Sequence, residues 1–200
     1  KESDKHKGNI DFIFHSHCRD KTADFSEEDE QISTKTETPY VLYNVLTDEF
    51  KQFKPEGILS YEGRVMVPGI LDCSCLAQDY YKRELNFNLP AIIHPFRSYR
   101  FNKTFVKMCK QDWQKNDPRA FLDFYVDRGF AEVSNPKLHD LIISNPLSFV
   151  SNVFTHISVY LGNDEVLDYG NTRISGIYTM EQFLSKNFGE VKFLRHKDFI

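Results

Sequence analysis

Apolar and polar positions in the first quarter of the chain alternate in short runs that predict strands around one helix. An apolar run at 10–14 leads into His-Ser-His, and a polar stretch and then Ser-Glu-Glu-Asp-Glu follow. This order predicts a strand, a loop and a helix. The run at 40–45 predicts a second strand, and 50–53 returns as a hairpin after a turn at Thr47 and Asp48.

A change of pattern near residue 56 divides the chain. The segment 54–57 contains Pro55 and Gly57 and is predicted to be a linker. We therefore predict a partial α/β unit over residues 1–56 and a larger domain over residues 57–200.

The larger domain begins with segments whose apolar residues are spaced as in a helix, and short β-rich runs follow them. Apolar residues at 76, 77, 80, 81 and 85 predict a helix over 73–85. A second helix is expected at 104–114, and a third from Asp117 and Pro118 to Gly129. Four strands are then predicted, at 141–144, 156–161, 165–169 and 191–195. A turn at 162–164 joins the second strand to the third, and one helix is predicted near 180–187. Helices followed by an antiparallel sheet predict an α+β fold.

Composition narrows the function classes. An apolar content of 40% with 14% aromatic residues is ample for a buried core. The net charge of −4, with acidic and basic residues interspersed, predicts no basic surface that would bind nucleic acid or anionic lipid. We also expect no transmembrane segment and no signal peptide, and a start without Met suggests a fragment of a longer protein.

The four cysteines are too few and too irregularly spaced for a disulfide framework; they are Cys18, Cys73, Cys75 and Cys109. Cys73 lies where the helix over 73–85 begins, and a helix N-terminus stabilises a thiolate. His156, on a predicted strand, is the best candidate base. A buried packing cysteine and a hydrogen-bonded strand histidine are the alternative interpretation. Asp72 is equally a plain helix cap.

A second candidate site lies in the first unit. Residues two apart on a strand share a face, so His15 and His17 can both reach one metal ion, and Asp29 could be a third ligand. Alternatively, Ser26 and Asp29 form a helix-capping pair and the histidines face solvent. Spacing alone leaves both open.

The sequence around Cys73 resembles the NlpC-type peptidoglycan endopeptidases, which are papain-like cysteine peptidases. Asp72-Cys73-Ser74-Cys75-Leu76 is similar to their Asp-Cys-Ser-Gly-Leu signature, with Cys75 at the Gly position. Further likenesses to the phage-tail branch of this family extend over about 61–170; they are 77–81, Leu89-Pro90, Gly129-Phe130, 138–142 and 155–163.

This resemblance implies a catalytic set. Cys73 would be the nucleophile, His156 the general base, and Asp168 the orienting group where the family commonly has a His. Tyr61 would lie beside the thiol, and the backbone N–H of Cys73 or Ser74 would bind the oxyanion. His139 replaces a usual Gly, where it would either crowd the cleft or face solvent.

The first unit resembles the JAMM-type metalloproteases through Phe14-His15-Ser16-His17 and 26–29. The resemblance implies zinc held by His15, His17 and Asp29, with Ser26 supporting the oxyanion. Cys18 replaces the usual Pro, and the general base that this family takes from an upstream segment has no counterpart here. We therefore expect a partial JAMM-like domain.

The order of the two domains resembles the tail assembly proteins of lambda-like siphophages. The resemblance implies a virion tail tip protein, present in the host cytoplasm during assembly, with other tail tip proteins as partners. Its substrate would be a peptidoglycan peptide cross-bridge or a tail protein. The alternative is a structural tail tip component with inactive sites, and an ordinary cytosolic thiol hydrolase fits less well because it ignores the first unit.

Overall fold

A computed structural model of the protein describes residues 11–18, 24–90, 119–145, 154–169, 173–186 and 189–199. The chain divides into two compact units, Lys1–Ser60 and Tyr61–Ile200. The sequence pattern placed this boundary slightly earlier, after residue 56. Described residues form four α-helices and nine β-strands, and the predicted mixed α+β class is confirmed.

The first unit is a β-α-β motif followed by a hairpin. Its elements are β1 (Ile13–His17), α1 (Glu27–Thr36), β2 (Tyr40–Asn44) and β3 (Glu49–Phe53). The strand order is β1-β2-β3, with β1 and β2 parallel and β2 and β3 antiparallel. β1 starts later than the apolar run suggested and includes the whole His-Ser-His segment, because it pairs with β2 from Ile13 to His17.

Four helical segments are described in the second unit. They are α2 (Cys73–Leu85), α3 (Ala120–Val126), α4 (Met180–Lys186) and a 3₁₀ turn (Lys197–Phe199). The bounds of α2 match the prediction. α3 ends at Val126, and Gly129 lies beyond it at φ +93°, where a Cβ would be strained. The predicted helix at 104–114 and the predicted helix start at 117–118 lie outside the described residues.

The six strands of the second unit form one antiparallel sheet. They are β4 (Phe130–Val133), β5 (Leu141–Ser144), β6 (His156–Gly162), β7 (Glu165–Tyr169), β8 (Ser175–Thr179) and β9 (Val191–His196). Their order is β4-β9-β5-β6-β7-β8. The sequence pattern did not predict β4 and β8. Both lie at an edge of the sheet and are partly exposed, so neither carries a continuous apolar run.

The core of the second unit lies between α2, α3 and the sheet. The predicted apolar stripe of α2 is buried there, and its residues are Leu76, Ala77, Tyr80 and Tyr81. They join sheet residues that include Ile143, Val159 and Leu167. This packing holds the N-terminal end of α2 in place. No helix in the described part of the chain is long and apolar enough to cross a membrane.

Candidate active site

The N-terminal end of α2 is held by an acidic cap. Asp72 has an extended backbone, and its Oδ1 accepts the N–H of Cys75 at 3.0 Å. Its Oδ2 accepts the N–H of Gly69 at 2.6 Å. One carboxylate thus ties the preceding turn to the first turn of the helix, which is the structural role considered for Asp72.

Cys73 is the first residue of α2, and its exposure is only 8%. A thiol in this position lies at the positive end of the helix dipole, where a thiolate is stabilised. The position required of a helix-activated nucleophile is therefore present.

His156 opens strand β6, and its imidazole is bound to Asp168 on β7. The distance from Nε2 of His156 to Oδ1 of Asp168 is 2.5 Å. The hydroxyl of Ser158 donates to the same oxygen at 2.8 Å. Asp168 is 4% exposed, so its charge is screened little by water. This contact fixes the imidazole against a buried carboxylate, and a catalytic role of Asp168 stays a prediction.

The His156 imidazole also makes a hydrogen bond with the side chain of Cys73. Because Asp168 occupies Nε2, the nitrogen left for the thiol is Nδ1. The structure therefore brings Cys73, His156 and Asp168 together in a chain of contacts.

Electrostatics favour the protonated imidazole in this chain. Burial lowers the pKa of His156, but the neighbouring charges of Asp168 and Cys73 and the hydrogen bonds to both outweigh it and raise the pKa well above its usual value. A charged imidazolium beside a thiol is the arrangement that stabilises a thiolate. The site can therefore hold a reactive sulfur and a proton donor together.

Tyr61 precedes α2 in the chain and packs against later turns of this helix than the one that holds the thiol. Its hydroxyl donates to Glu84 at 2.8 Å, and its ring packs on Tyr80 at 5.7 Å between centroids. The guanidinium of Arg83 lies 5.0 Å from the centre of the ring. Glu84 is about three turns, or roughly 16 Å, along the helix from Cys73. The hydroxyl of Tyr61 is thus engaged at the opposite end of α2.

The backbone N–H groups of the first helical turn were the expected oxyanion donors. Asp72 takes the N–H of Cys75. Ser74 is buried in the same turn, at 4% exposure. The roles of Cys73 N–H and Ser74 N–H stay predictions.

His139 neither points into solvent nor lies against the thiol. Its ring Nδ1 is 2.8 Å from the hydroxyl of Tyr80, and the hydroxyl of Tyr81 donates to its carbonyl oxygen. Burial lowers the pKa of His139. Its φ of +75° is the left-handed conformation that favours glycine, which explains physically why a Gly is expected at this position.

Three buried hydroxyls of the second unit have no hydrogen-bond partner in the part of the chain that the structure describes. They belong to Tyr125, Ser144 and Tyr169. Ser144 lies opposite His156 in the β5–β6 register, and Tyr169 directly follows Asp168. None of the three was predicted from the sequence, because the burial of a hydroxyl depends on tertiary packing.

At the candidate metal site of the first unit, the helix-capping pair that the sequence allowed is present. Ser26 and Asp29 form a capping box, in which Oδ2 of Asp29 accepts the N–H of Ser26 at 3.0 Å and its hydroxyl at 2.7 Å. The other oxygen, Oδ1, lies 3.7 Å from Nδ1 of His15. The rings of His15 and His17 stack at 5.1 Å.

The fit of these residues to zinc is partial. Nε2 of His15 is buried without a hydrogen-bond partner in the described residues, as a nitrogen awaiting a ligand would be. However, within the described ranges no group of three or more His, Cys, Asp or Glu side chains is placed to hold a metal ion. Zinc binding by His15, His17 and Asp29 stays a prediction.

Comparison of the chain with protein-family models, with characterised proteins and with solved structures finds no significant match.

Proposed function

We propose that the second unit is a cysteine peptidase that hydrolyses amide bonds through Cys73, His156 and Asp168. The observation that carries the proposal is the continuous contact from Cys73 at a helix N-terminus to His156 and on to the buried Asp168. An oriented imidazolium beside a helix-start thiol is poorly explained by packing alone.

The reaction follows from this geometry. The thiolate of Cys73 attacks the carbonyl carbon of the amide, and the C=O electron pair moves onto the oxygen. His156 gives its proton to the leaving amine as the C–N bond breaks, which leaves a thioester on Cys73. His156 then takes a proton from water, the hydroxide attacks the thioester, and the carboxylic acid leaves with the thiolate restored.

Asp168 keeps the imidazole in one orientation through both steps. It also stabilises the imidazolium that persists until the amine leaves, because a buried carboxylate acts through a low dielectric. The bond from Ser158 fixes the carboxylate in turn.

The substrate class rests on the sequence resemblance. The similarity of 72–76 and 155–163 to phage-tail NlpC-type enzymes supports a wall peptide cross-bridge or a tail protein as substrate. It also supports a place in the virion tail tip with other tail proteins as partners. The competing function is a structural tail tip component whose peptidase site no longer acts.

A thiol-directed probe separates these two functions. The intact protein is reacted with iodoacetamide, the modified residue is found by mass spectrometry, and hydrolysis of purified wall peptides is measured. We expect selective alkylation of Cys73 and loss of hydrolysis in Cys73→Ala.

Cys75→Ala is the matched control, because it removes a second thiol from the same helical turn without touching His156. It is expected to retain hydrolysis. A folded parent protein whose Cys73 does not react would contradict the enzyme and favour the structural role.

A further inference from the structure

One oxygen of the buried Asp168 carboxylate receives two hydrogen bonds, and both come from side chains of β6. Nε2 of His156 lies 2.5 Å from Oδ1, and the hydroxyl of Ser158 donates to the same atom at 2.8 Å. Residues two apart on a strand face the same side of the sheet, so these two side chains reach the carboxylate together. The position of Oδ1 therefore depends on Ser158 as well as on His156.

Ser158 is anchored inside the sheet. His156 is the first residue of β6, whereas Ser158 lies two residues further into the strand and pairs with Ile142 of β5. Ser158 is only 2% exposed, and a single side-chain torsion sets the place of its hydroxyl oxygen. A short side chain with so little freedom can hold a carboxylate at small cost in entropy.

The burial of Ser158 also limits how its hydroxyl can act. A side chain that is 2% exposed does not contact a substrate, so Ser158 can influence the reaction through Asp168. Asp168 in turn holds the imidazole of His156. Supporting contacts of this kind keep a catalytic group in its productive geometry, because the group would otherwise sample other orientations.

We propose that Ser158 is a positioning residue, whose hydroxyl holds Oδ1 of Asp168 so that the carboxylate keeps His156 aligned while the imidazole transfers protons. This inference rests on the proposed cysteine peptidase function and deepens it. Proton transfer requires an aligned ring, whereas a thiolate needs the imidazolium only as a nearby positive charge. Loss of the Ser158 hydroxyl should therefore slow proton transfer and spare the nucleophile.

Two reagents separate these steps at Cys73. Iodoacetamide alkylates the thiolate by displacing iodide, and p-nitrophenyl acetate acylates it as p-nitrophenolate leaves with the electron pair of the broken C–O bond. Neither step needs a proton from His156. Loss of the acetyl group does: the imidazolium releases its proton to solvent, the neutral ring takes a proton from water, and the hydroxide attacks the thioester. Acetic acid then leaves, and the thiolate is restored.

The three rates are measured in the full chain by mass spectrometry, with Cys73→Ala as background. Acetylated protein is separated from the reagent before the loss of the acetyl group is followed. Ser158→Ala is expected to deacylate about 10-fold more slowly than the parent, which is part of the roughly 100- to 10,000-fold that a positioned acid or base contributes. Its acylation and alkylation rates should equal those of the parent.

Ser144→Ala is the matched control. Ser144 is also a buried serine, it lies opposite His156 in the β5–β6 register, and its hydroxyl has no hydrogen-bond partner among the described residues. All three rates should stay at the parent values. Ser158→Thr keeps a hydroxyl on a side chain that suits a strand, and it should restore deacylation.

Each contrary result has a distinct meaning. If Ser158→Ala deacylates as fast as the parent, or Ser158→Thr as slowly as Ser158→Ala, the inference fails and the proposed peptidase stands. If all three rates fall together in Ser158→Ala, Ser158 supports the fold and not proton transfer, and the inference fails. If Cys73 of the parent reacts with neither reagent, or keeps its acetyl group, the proposed function fails and the inference with it.

Discussion

At the scale of single residues, the protonation of His156 depends on its immediate neighbours. Burial alone would favour the neutral ring, yet the bonds to Asp168 and Cys73 reverse this and raise the pKa. A buried imidazole whose charge is needed thus requires a buried carboxylate beside it. Asp168 supplies that charge directly.

The raised pKa of His156 predicts a pH-dependent contribution to the stability of the folded protein. Because the folded pKa of His156 lies above its ordinary value of 6.5, protonation stabilises the folded state. That stabilisation is fully present below pH 6.5 and is lost as the pH rises through the folded pKa of His156. Asp168→Asn removes the charge that raises this pKa.

The difference in unfolding free energy between the parent and Asp168→Asn should therefore be largest at slightly acidic pH and shrink toward alkaline pH. Urea unfolding of both proteins over this range measures it. Ser158→Ala serves as the control, since it removes a neutral donor to the same oxygen and should show a much weaker pH dependence. A difference that does not vary with pH would contradict the assigned electrostatics.

Among the elements, α2 is the one on which the candidate site depends most. Its apolar stripe packs into the core, and its N-terminal end presents Cys73. Asp72 caps this end, because its carboxylate accepts one hydrogen bond from the first turn of the helix and one from the preceding turn. Loss of the cap should therefore loosen the turn that positions the thiol.

Asp72→Ala is expected to destabilise the second unit by about 1 to 2 kcal/mol, the upper part of the range for an N-cap residue. Asp72→Asn should recover much of this loss, because an amide oxygen still accepts the N–H of Cys75. Urea unfolding monitored by circular dichroism gives both values. Equal stability of Asp72→Ala and the parent would show that the cap is not needed.

For the whole molecule, the described residues of the second unit form a hydrophobic core of their own. Its core joins α2, α3 and the sheet. A buried ion pair also links β9 to Asp140, the residue before β5, where Arg195 donates to Asp140 through Nε at 2.9 Å and through Nη2 at 2.7 Å. A bidentate pair of this kind restricts how the two strands can align.

Residues 61–200 are therefore expected to fold when produced without residues 1–60. The expected observations are a cooperative urea transition and alkylation of Cys73 at the rate of the full chain. A non-cooperative transition would mean that residues 1–60 are part of the same folding unit.

Arg195→Met in the same fragment should be strongly destabilising, by about 3 to 5 kcal/mol, because it leaves Asp140 buried and unpaired.

The sequence by itself determined the features that depend on local pattern. The periodicity of 76–85 located α2, the run of turn residues at 162–164 located the β6–β7 hairpin, and Ser26 with Asp29 marked the start of α1. Helical spacing, turn residues and capping residues act through neighbours a few positions away, so a sequence can show them. The edge strands β4 and β8 lacked such a pattern and were missed.

Only the tertiary structure decided which distant groups meet and which atoms they use. It placed Nε2 of His156 against Asp168 and so left Nδ1 for Cys73, engaged the Tyr61 hydroxyl with Glu84, and left that of Tyr169 buried with no hydrogen-bond partner among the described residues. These outcomes depend on strand register, packing and burial across the whole second unit. Local sequence carries little information about such contacts, because the residues involved lie far apart in the chain and are brought together only when the core forms.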